Sequence, residues 1–320
     1  MSTLAVTTLG VANTGKNEPS RMSNHREFWF TSKDGLRIAC GRWESRGPAR
    51  GVLQIAHGMG EHSGRYTELT EALQEASFVV YANDHRGHGR SAGSPERFGD
   101  FGEGGFDLLV EDMIELTRIA KKENPAKPFV LLGHSMGSFA AQQYVLDYSH
   151  LIDGLALSGS GSLDRLKKLA IPALAKKYNF LNTRFEPART PFDWLSRDSR
   201  VIDAFVNDPL CFPMLRRKSA ESFLAASTRL ANRAALSKIR PDLPIYLFSG
   251  SEDSMGQQLA GVCTLKERYR KAGMRDVSHD FYDGGRHEML NEINRGQVRT
   301  NLLVWLSKVL HGQSHYSEAL

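Results

Sequence analysis

The chain has 320 residues, 41% of them hydrophobic, and a net charge of +5, which supplies a core for one sizeable α/β domain carrying an insertion. No apolar run approaches the roughly 20 residues that cross a bilayer as a helix. Three scattered cysteines, Cys40, Cys211 and Cys263, offer neither a disulfide framework nor a zinc knuckle, and point to reduced thiols in a cytoplasmic protein.

Residues 1–25 read as a polar, disordered tail, with Met22 as an alternative start. Their apolar patch at 4–11 lacks the basic leader of a secretory signal. Residues 27–30 and 36–43 then alternate like two strands about the turn Lys33-Asp34-Gly35. Short apolar runs of the kind that forms buried strands follow at 51–56, 78–82, 128–133, 152–157, 244–248 and 277–282. Amphipathic stretches at 66–76, 106–122, 139–147, 259–271 and 298–310 lie between and after them. Strands alternating with helices predict a mostly parallel central sheet with helices on both faces, its first two strands forming an antiparallel edge. No internal repeat interrupts the series.

The alternation breaks once. Residues 162–240 show helical periodicity interrupted at Pro172, Pro187, Pro191, Pro209 and Pro213, with no clear strand. Because strand-like runs resume afterwards, this stretch reads as a helical cap inserted into a core made of residues 26–161 and 241–312. The cap carries 16 Lys/Arg against 7 Asp/Glu, a net +9, while the remainder of the chain is net −4. Such asymmetry suggests that one region meets an anionic surface. No nucleic-acid-binding motif accompanies the charge.

A G-x-S-x-G pattern occurs twice, at Gly89-Arg90-Ser91-Ala92-Gly93 and at Gly133-His134-Ser135-Met136-Gly137. A nucleophile elbow must follow a buried strand and open a helix, because that sharp turn lifts the hydroxyl above the sheet edge. Ser135 meets both conditions, whereas Ser91 sits in a loop and is followed by Ser94-Pro95. A serine hydroxyl attacks only when a histidine removes its proton and an acid orients that histidine. In this α/β-hydrolase arrangement the chain order is Ser, acid, His, each at a strand's C-terminal end. Asp253, in Gly250-Ser251-Glu252-Asp253, and His287, in Asp283-Gly284-Gly285-Arg286-His287, fit that order. Glu252 and Asp283 are the competing carboxylates. An oxyanion hole needs the N–H after the nucleophile, Met136, and one from an early strand's loop, where His57-Gly58-Met59-Gly60 makes Met59 the candidate. The histidines His57, His62, His85 and His88, with Asp84, match no compact metal spacing and read as hydrogen-bonding residues around an active site. A triad with an oxyanion hole suffices for acyl transfer, so no metal or cofactor is called for.

Beyond the elbow, the run His57-Gly58-Met59-Gly60-Glu61-His62-Ser63-Gly64-Arg65-Tyr66 resembles the oxyanion segment of monoacylglycerol lipases. So does Asp84-His85-Arg86-Gly87-His88-Gly89-Arg90-Ser91. The cap segments Leu195-Ser196-Arg197-Asp198 and Asp208-Pro209-Leu210, and the late run Gly285-Arg286-His287-Glu288-Met289-Leu290-Asn291-Glu292, are similar to that family and its bacterial lysophospholipase-like relatives of the serine aminopeptidase S33 type. The resemblance covers roughly residues 26–310 and implies the α/β-hydrolase fold, with a mobile cap that meets the membrane. It further implies hydrolysis of one acyl ester from a glycerol-type lipid, with Glu61 and Arg65 paired to brace the oxyanion loop. Two departures stand out: Ser138 where these elbows usually carry glycine, which would narrow the acyl tunnel or tighten the helix start, and Ser254-Met255 in place of proline–valine. A lysophospholipase or short-chain esterase is the alternative activity, ahead of a peptidase or a non-catalytic binding protein. In the cap, Leu163, Leu166, Ala170 and Leu174 fall on one side of a helix interrupted by Pro172, with Lys167, Lys168, Lys176 and Lys177 elsewhere. That pattern suits peripheral contact with an anionic membrane.

Overall fold

The computed structural model describes residues 25–175 and 180–317. The expected tail, residues 1–24, lies outside the described residues, and His25 already heads the first strand. Eight strands form one sheet: β1 His25–Thr31, β2 Arg37–Trp43, β3 Gly51–Ala56, β4 Phe78–Asn83, β5 Phe129–His134, β6 Gly154–Ser158, β7 Ile245–Gly250 and β8 Val277–Tyr282. Their order is β1-β2-β4-β3-β5-β6-β7-β8. β2 pairs antiparallel with both β1 and β4, and every later pairing is parallel. Every residue of β3 to β7 is buried, which is why these strands read as unbroken apolar runs. β1 shows the half-exposed pattern of an edge.

Successive residues of a strand point to opposite faces, so the sheet builds two cores. Leu53, Ile55, Val130 and Leu132 face α1 (Thr67–Glu75) and α10 (Arg295–Ser317) through Leu69, Leu73, Leu302 and Leu306. Val52 and Leu131 face the other side, where α2 (Gly105–Glu123), α3 (Met136–Tyr148) and α9 (Ala260–Lys271) contribute Leu109, Met113, Tyr144 and Val262.

Between β6 and β7 the chain forms α4 (Leu163–Ala175), α5 (Ser199–Asn207), α6 (Arg217–Ala225), α7 (Ser227–Leu230) and α8 (Arg233–Leu236). No strand occurs among the described residues of that segment. The expected interruption at Pro172 does not occur, since α4 continues through it. Proline removes one N–H bond, here to the carbonyl of Lys168. Leu163, Leu166 and Ala170 are buried and seat the helix, while Leu169 and Ile171 are 47% and 50% exposed. The side chain of Leu174, and Lys176 and Lys177, lie outside the described residues.

The inter-strand segment is fastened to the loops at the strands' C-terminal ends. Glu292, fully buried, accepts from Arg197 N (2.9 Å) and Arg286 N (3.2 Å). Glu288 N donates to Leu195 O (2.7 Å), and Phe212 N donates to Gly60 O (3.0 Å).

Candidate active site

β5 ends at His134 and α3 begins at Met136, so Ser135 alone makes the turn. Its φ of 52° and ψ of −122° are strained for a residue with a side chain, a state that costs on the order of 1–3 kcal/mol and is held by its surroundings. The flanking glycines are those surroundings. A Cβ on Gly133 would lie 2.6 Å from Gly137 O and 2.7 Å from Ser138 Cα, and one on Gly137 would run into the carbonyls of Ala56 and His57. Ser135 itself is 5% exposed and lines a cleft with Met59, Glu61, Arg65, Trp194, Phe205, Phe212, Met255 and His287.

The second serine motif has a different fate. Ser91 Oγ donates to Asp84 O (2.6 Å) and accepts from Ala39 N (2.9 Å), so its hydroxyl is spent on backbone groups. It tethers the loop after β4 to β2.

Asp253 follows β7 and His287 follows β8. His287 Nδ1 and Asp253 Oδ1 are 2.9 Å apart, and both side chains are fully buried. Burial alone would lower the His287 pKa, but Asp253, then Glu288 and Glu61, raise it above the ordinary histidine value. Burial likewise opposes the Asp253 charge, and His287 with the N–H groups of Gly256 and Met255 brings its pKa below the usual value. The competitors are engaged elsewhere: Glu252 pairs with Arg184 (2.7 Å), and Asp283 accepts from Ser251 Oγ (3.4 Å). The other ring nitrogen, His287 Nε2, is buried and has no hydrogen-bond partner among the described residues. It makes no bond to Ser135 Oγ in this conformation. Such bonds often form only once substrate is bound.

At the end of β3, Gly58 N donates to Glu61 Oε1 (2.5 Å), which takes that amide out of use and leaves Met59 N–H, next along the loop, as the candidate oxyanion donor. The first N–H groups of α3, starting with Met136, have no intrahelical acceptor. Glu61 and Arg65 pair as the resemblance implied, at 2.8 Å, and the pair is buried. Arg65 also grips Glu288 through two bonds of 2.8 and 2.9 Å. Sequence reasoning missed Glu288, whose one signal was its position next to His287 in the run His287-Glu288-Met289-Leu290. It also missed Trp194, whose ring lies 4.7 Å from that of His287, and His134, at 4.8 Å. Burial holds His134 neutral, with a pKa lowered to about 4.

His57, His85 and His88 pack on one another beneath the site, with ring centroids 4.2 to 6.4 Å apart. His57 Nε2 accepts from His85 N (2.8 Å), and burial lowers the pKa of all three. His62, Asp208 and Cys211 do place donor atoms within 4.8 Å of one another. However, His62 Nδ1 accepts from Gly64 N and its Nε2 faces Asp208 (2.9 Å), which fixes the proton on Nε2 where an ion would need a lone pair.

The two departures from the family pattern resolve structurally. Ser138 is buried and its Oγ donates to Ser135 O (2.6 Å), which tightens the start of α3. Met255 N donates to Asp253 Oδ1 (2.9 Å), so the acid stays held.

Comparison with known proteins places the chain. Residues 47–294 match the family described as serine aminopeptidase, S33 (Hydrolase_4). The chain belongs to that family. It is 30% identical over 287 residues to a monoacylglycerol lipase of Mycolicibacterium smegmatis, covering 89% of this chain and 98% of the relative. To a monoglyceride lipase of Rattus norvegicus it is 30% identical over 290 residues, covering 87% and 89%. Among solved structures, a thermostable carboxyl esterase from Bacillus coagulans superposes with a TM-score of 0.80 at 27% identity, over 90% of this chain and 100% of that one. A lipase in its open form gives 0.78 at 31% identity, over 89% and 99%. The fold is therefore that of the α/β-hydrolases, and the chain is a carboxylic-ester hydrolase of the monoacylglycerol lipase-like kind.

Proposed function

We propose that this protein hydrolyses the acyl ester of monoacylglycerol-type single-chain lipids through Ser135, His287 and Asp253. The observation that carries the reading is the buried His287, fixed by Asp253 at Nδ1, left without a partner at Nε2 among the described residues, and lining the same cleft as the strained Ser135. His287 Nε2 takes the Ser135 proton as Oγ attacks the ester carbonyl. The N–H groups of Met59 and Met136 receive the charge that develops on the carbonyl oxygen, where each donor contributes roughly 3 kcal/mol. His287 then returns the proton to the departing glycerol oxygen, leaving an acyl-enzyme. Water, deprotonated by the same nitrogen, attacks the acyl-enzyme, and His287 returns that proton to Ser135 Oγ as the fatty acid leaves.

In the described conformation the cleft leaves about 30 Å³, the space of about one water. An acyl chain enters only after the aromatic residues Phe192, Trp194, Phe205 and Phe212 withdraw, which makes the segment between β6 and β7 a cap. Among the described residues lining the cleft, Arg65 is the one permanent cation, and two carboxylates hold it. In this conformation the cleft lining therefore offers a phosphate head group no free positive charge, which supports the neutral glycerol ester over a lysophospholipid. On the outer face of α4, Leu169 and Ile171 stand exposed beside Lys168, a pattern that suits an anionic lipid surface. No helix among the described residues is long and apolar enough to cross a membrane.

The test is fatty-acid release from a medium-chain monoacylglycerol and from the matching lysophosphatidylcholine, beside Ser135→Ala. Preferential release from the monoacylglycerol, absent in the variant, is the expected result. Release that persists in Ser135→Ala refutes the nucleophile, and a preference for the lysophospholipid refutes the head-group argument.

A further inference from the structure

Three buried charges occupy the cleft wall: Glu61, Arg65 and Glu288, with side chains 4%, 9% and 3% exposed. Glu61 accepts from Gly58 N (2.5 Å), Tyr66 Oη (2.7 Å) and Arg65 Nη1 (2.8 Å). Arg65 continues to Glu288, 223 positions away in sequence, with Nη1 on Oε1 (2.8 Å) and Nη2 on Oε2 (2.9 Å). Asn291 Nδ2 adds a donor to Glu288 Oε2 (3.0 Å), and the Phe205 ring lies 5.0 Å from the guanidinium carbon. Apolar side chains of similar volume would often be at least as stable in such a place. The bridge is better understood by what it joins. At one end is Gly58, whose amide it pins, next to Met59; at the other is the residue that follows His287.

We propose that Glu288 is a positioning residue, which through Arg65 and Glu61 holds the loop presenting Met59 N–H at a fixed distance from the loop carrying His287. A two-pronged guanidinium–carboxylate contact fixes orientation as well as distance, which a single hydrogen bond does not. The oxyanion donor and the proton-transferring nitrogen act on the same tetrahedral centre, so an error in their separation is felt at every turnover. This inference rests on the triad reading above.

The same geometry gives a readout that a merely structural role would not move. His287 is faced by Asp253 from the loop after β7, by Glu288 on its own loop, by Glu61 from the loop after β3 and by neutral His134 from the elbow. Glu288 favours the protonated ring, so removing its charge lowers the His287 pKa. Activity requires the neutral ring, and the acid limb of the pH profile then moves to lower pH.

The experiment follows p-nitrophenyl butyrate hydrolysis across pH in wild type, Glu288→Gln and Glu288→Asp, with Tm measured beside each. In Glu288→Gln, kcat should fall about tenfold with KM nearly unchanged, and the acid limb should move down by about half a pH unit. Glu288→Asp keeps the charge but shortens the reach, so its acid limb should stay at the wild-type position while kcat remains depressed. Wild-type kcat and limb in Glu288→Gln overturn the proposal. A loss of kcat that merely tracks Tm, with the limb unmoved in both variants, overturns it too. Labelling of wild-type Ser135 by a fluorophosphonate probe runs in parallel. Its absence would refute the triad reading itself, and this inference with it, and is separable from a failure at Glu288 alone.

Discussion

Gly133 offers a sharp test of how the elbow is held. It lies at the end of β5 and its φ is not positive, so alanine is compatible with the backbone there. Local preference alone would favour the change, since glycine inside a strand is destabilising by about 0.5–1 kcal/mol relative to alanine. The tertiary contacts reverse the sign. The added Cβ would lie 2.6 Å from Gly137 O and 2.7 Å from Ser138 Cα, both backbone atoms of the first turn of α3. Ordinary contact needs about 3.5 Å, so α3 must retreat by roughly 0.8 Å. Overpacking of this kind costs about 1–3 kcal/mol and should lower Tm by several degrees. The displaced turn carries Ser135 and Met136 N–H, and misplacement by about 1 Å costs about a hundredfold in rate. Gly133→Ala should therefore fold, melt several degrees early and lose about 30- to 100-fold in kcat/KM for a monoacylglycerol. A variant with raised Tm and kcat/KM within threefold of wild type, a span of about 0.65 kcal/mol, would refute the steric account.

Other expectations follow from the same geometry. Ser91→Ala should keep kcat while losing about 1–3 kcal/mol of stability by chemical denaturation, because Ala39 N–H loses its buried acceptor; Ser135→Ala should do the reverse, and equal loss of activity in both would undo the choice between the motifs. Because Asp253 and Glu288 raise the His287 pKa, kcat/KM should climb with pH and reach half its plateau above about pH 6.5. A midpoint below pH 6, about half a unit under the free histidine value, contradicts that assignment. Asp253→Asn should lower kcat by about 10⁴ while leaving the fold intact by circular dichroism. At low salt the enzyme should co-sediment with anionic vesicles, and Leu169→Ser with Ile171→Ser should weaken this; equal binding to neutral vesicles would count against the cap surface.

Much of this molecule is written locally. The strand at 51–56 reads as GVLQIA because both of its faces are covered, and the same holds from β4 to β7, so the parallel sheet is visible as apolar runs. The elbow is visible because a strand, a strained residue and a helix must follow one another within a few positions. The order Ser135, Asp253, His287 follows from strand order alone. What sequence reading missed has one property in common, that its partners are distant in the chain. Pro172 reads as a break, yet packing of Leu163, Leu166 and Ala170 carries α4 through it. That Glu61 and Arg65 pair follows from the resemblance; only tertiary structure buries them and delivers Glu288 to the far side of the guanidinium. Cleft volume belongs to the same class, because the walls from Phe192 to Phe212 are placed by contacts with Gly60, Glu288 and Glu292 rather than by their neighbours in sequence. The residues of the proposed triad are legible in the sequence, since strand ends and a tight turn are short-range matters; the distances between their loops come from folding, since those depend on charges and side chains that meet from opposite ends of the chain.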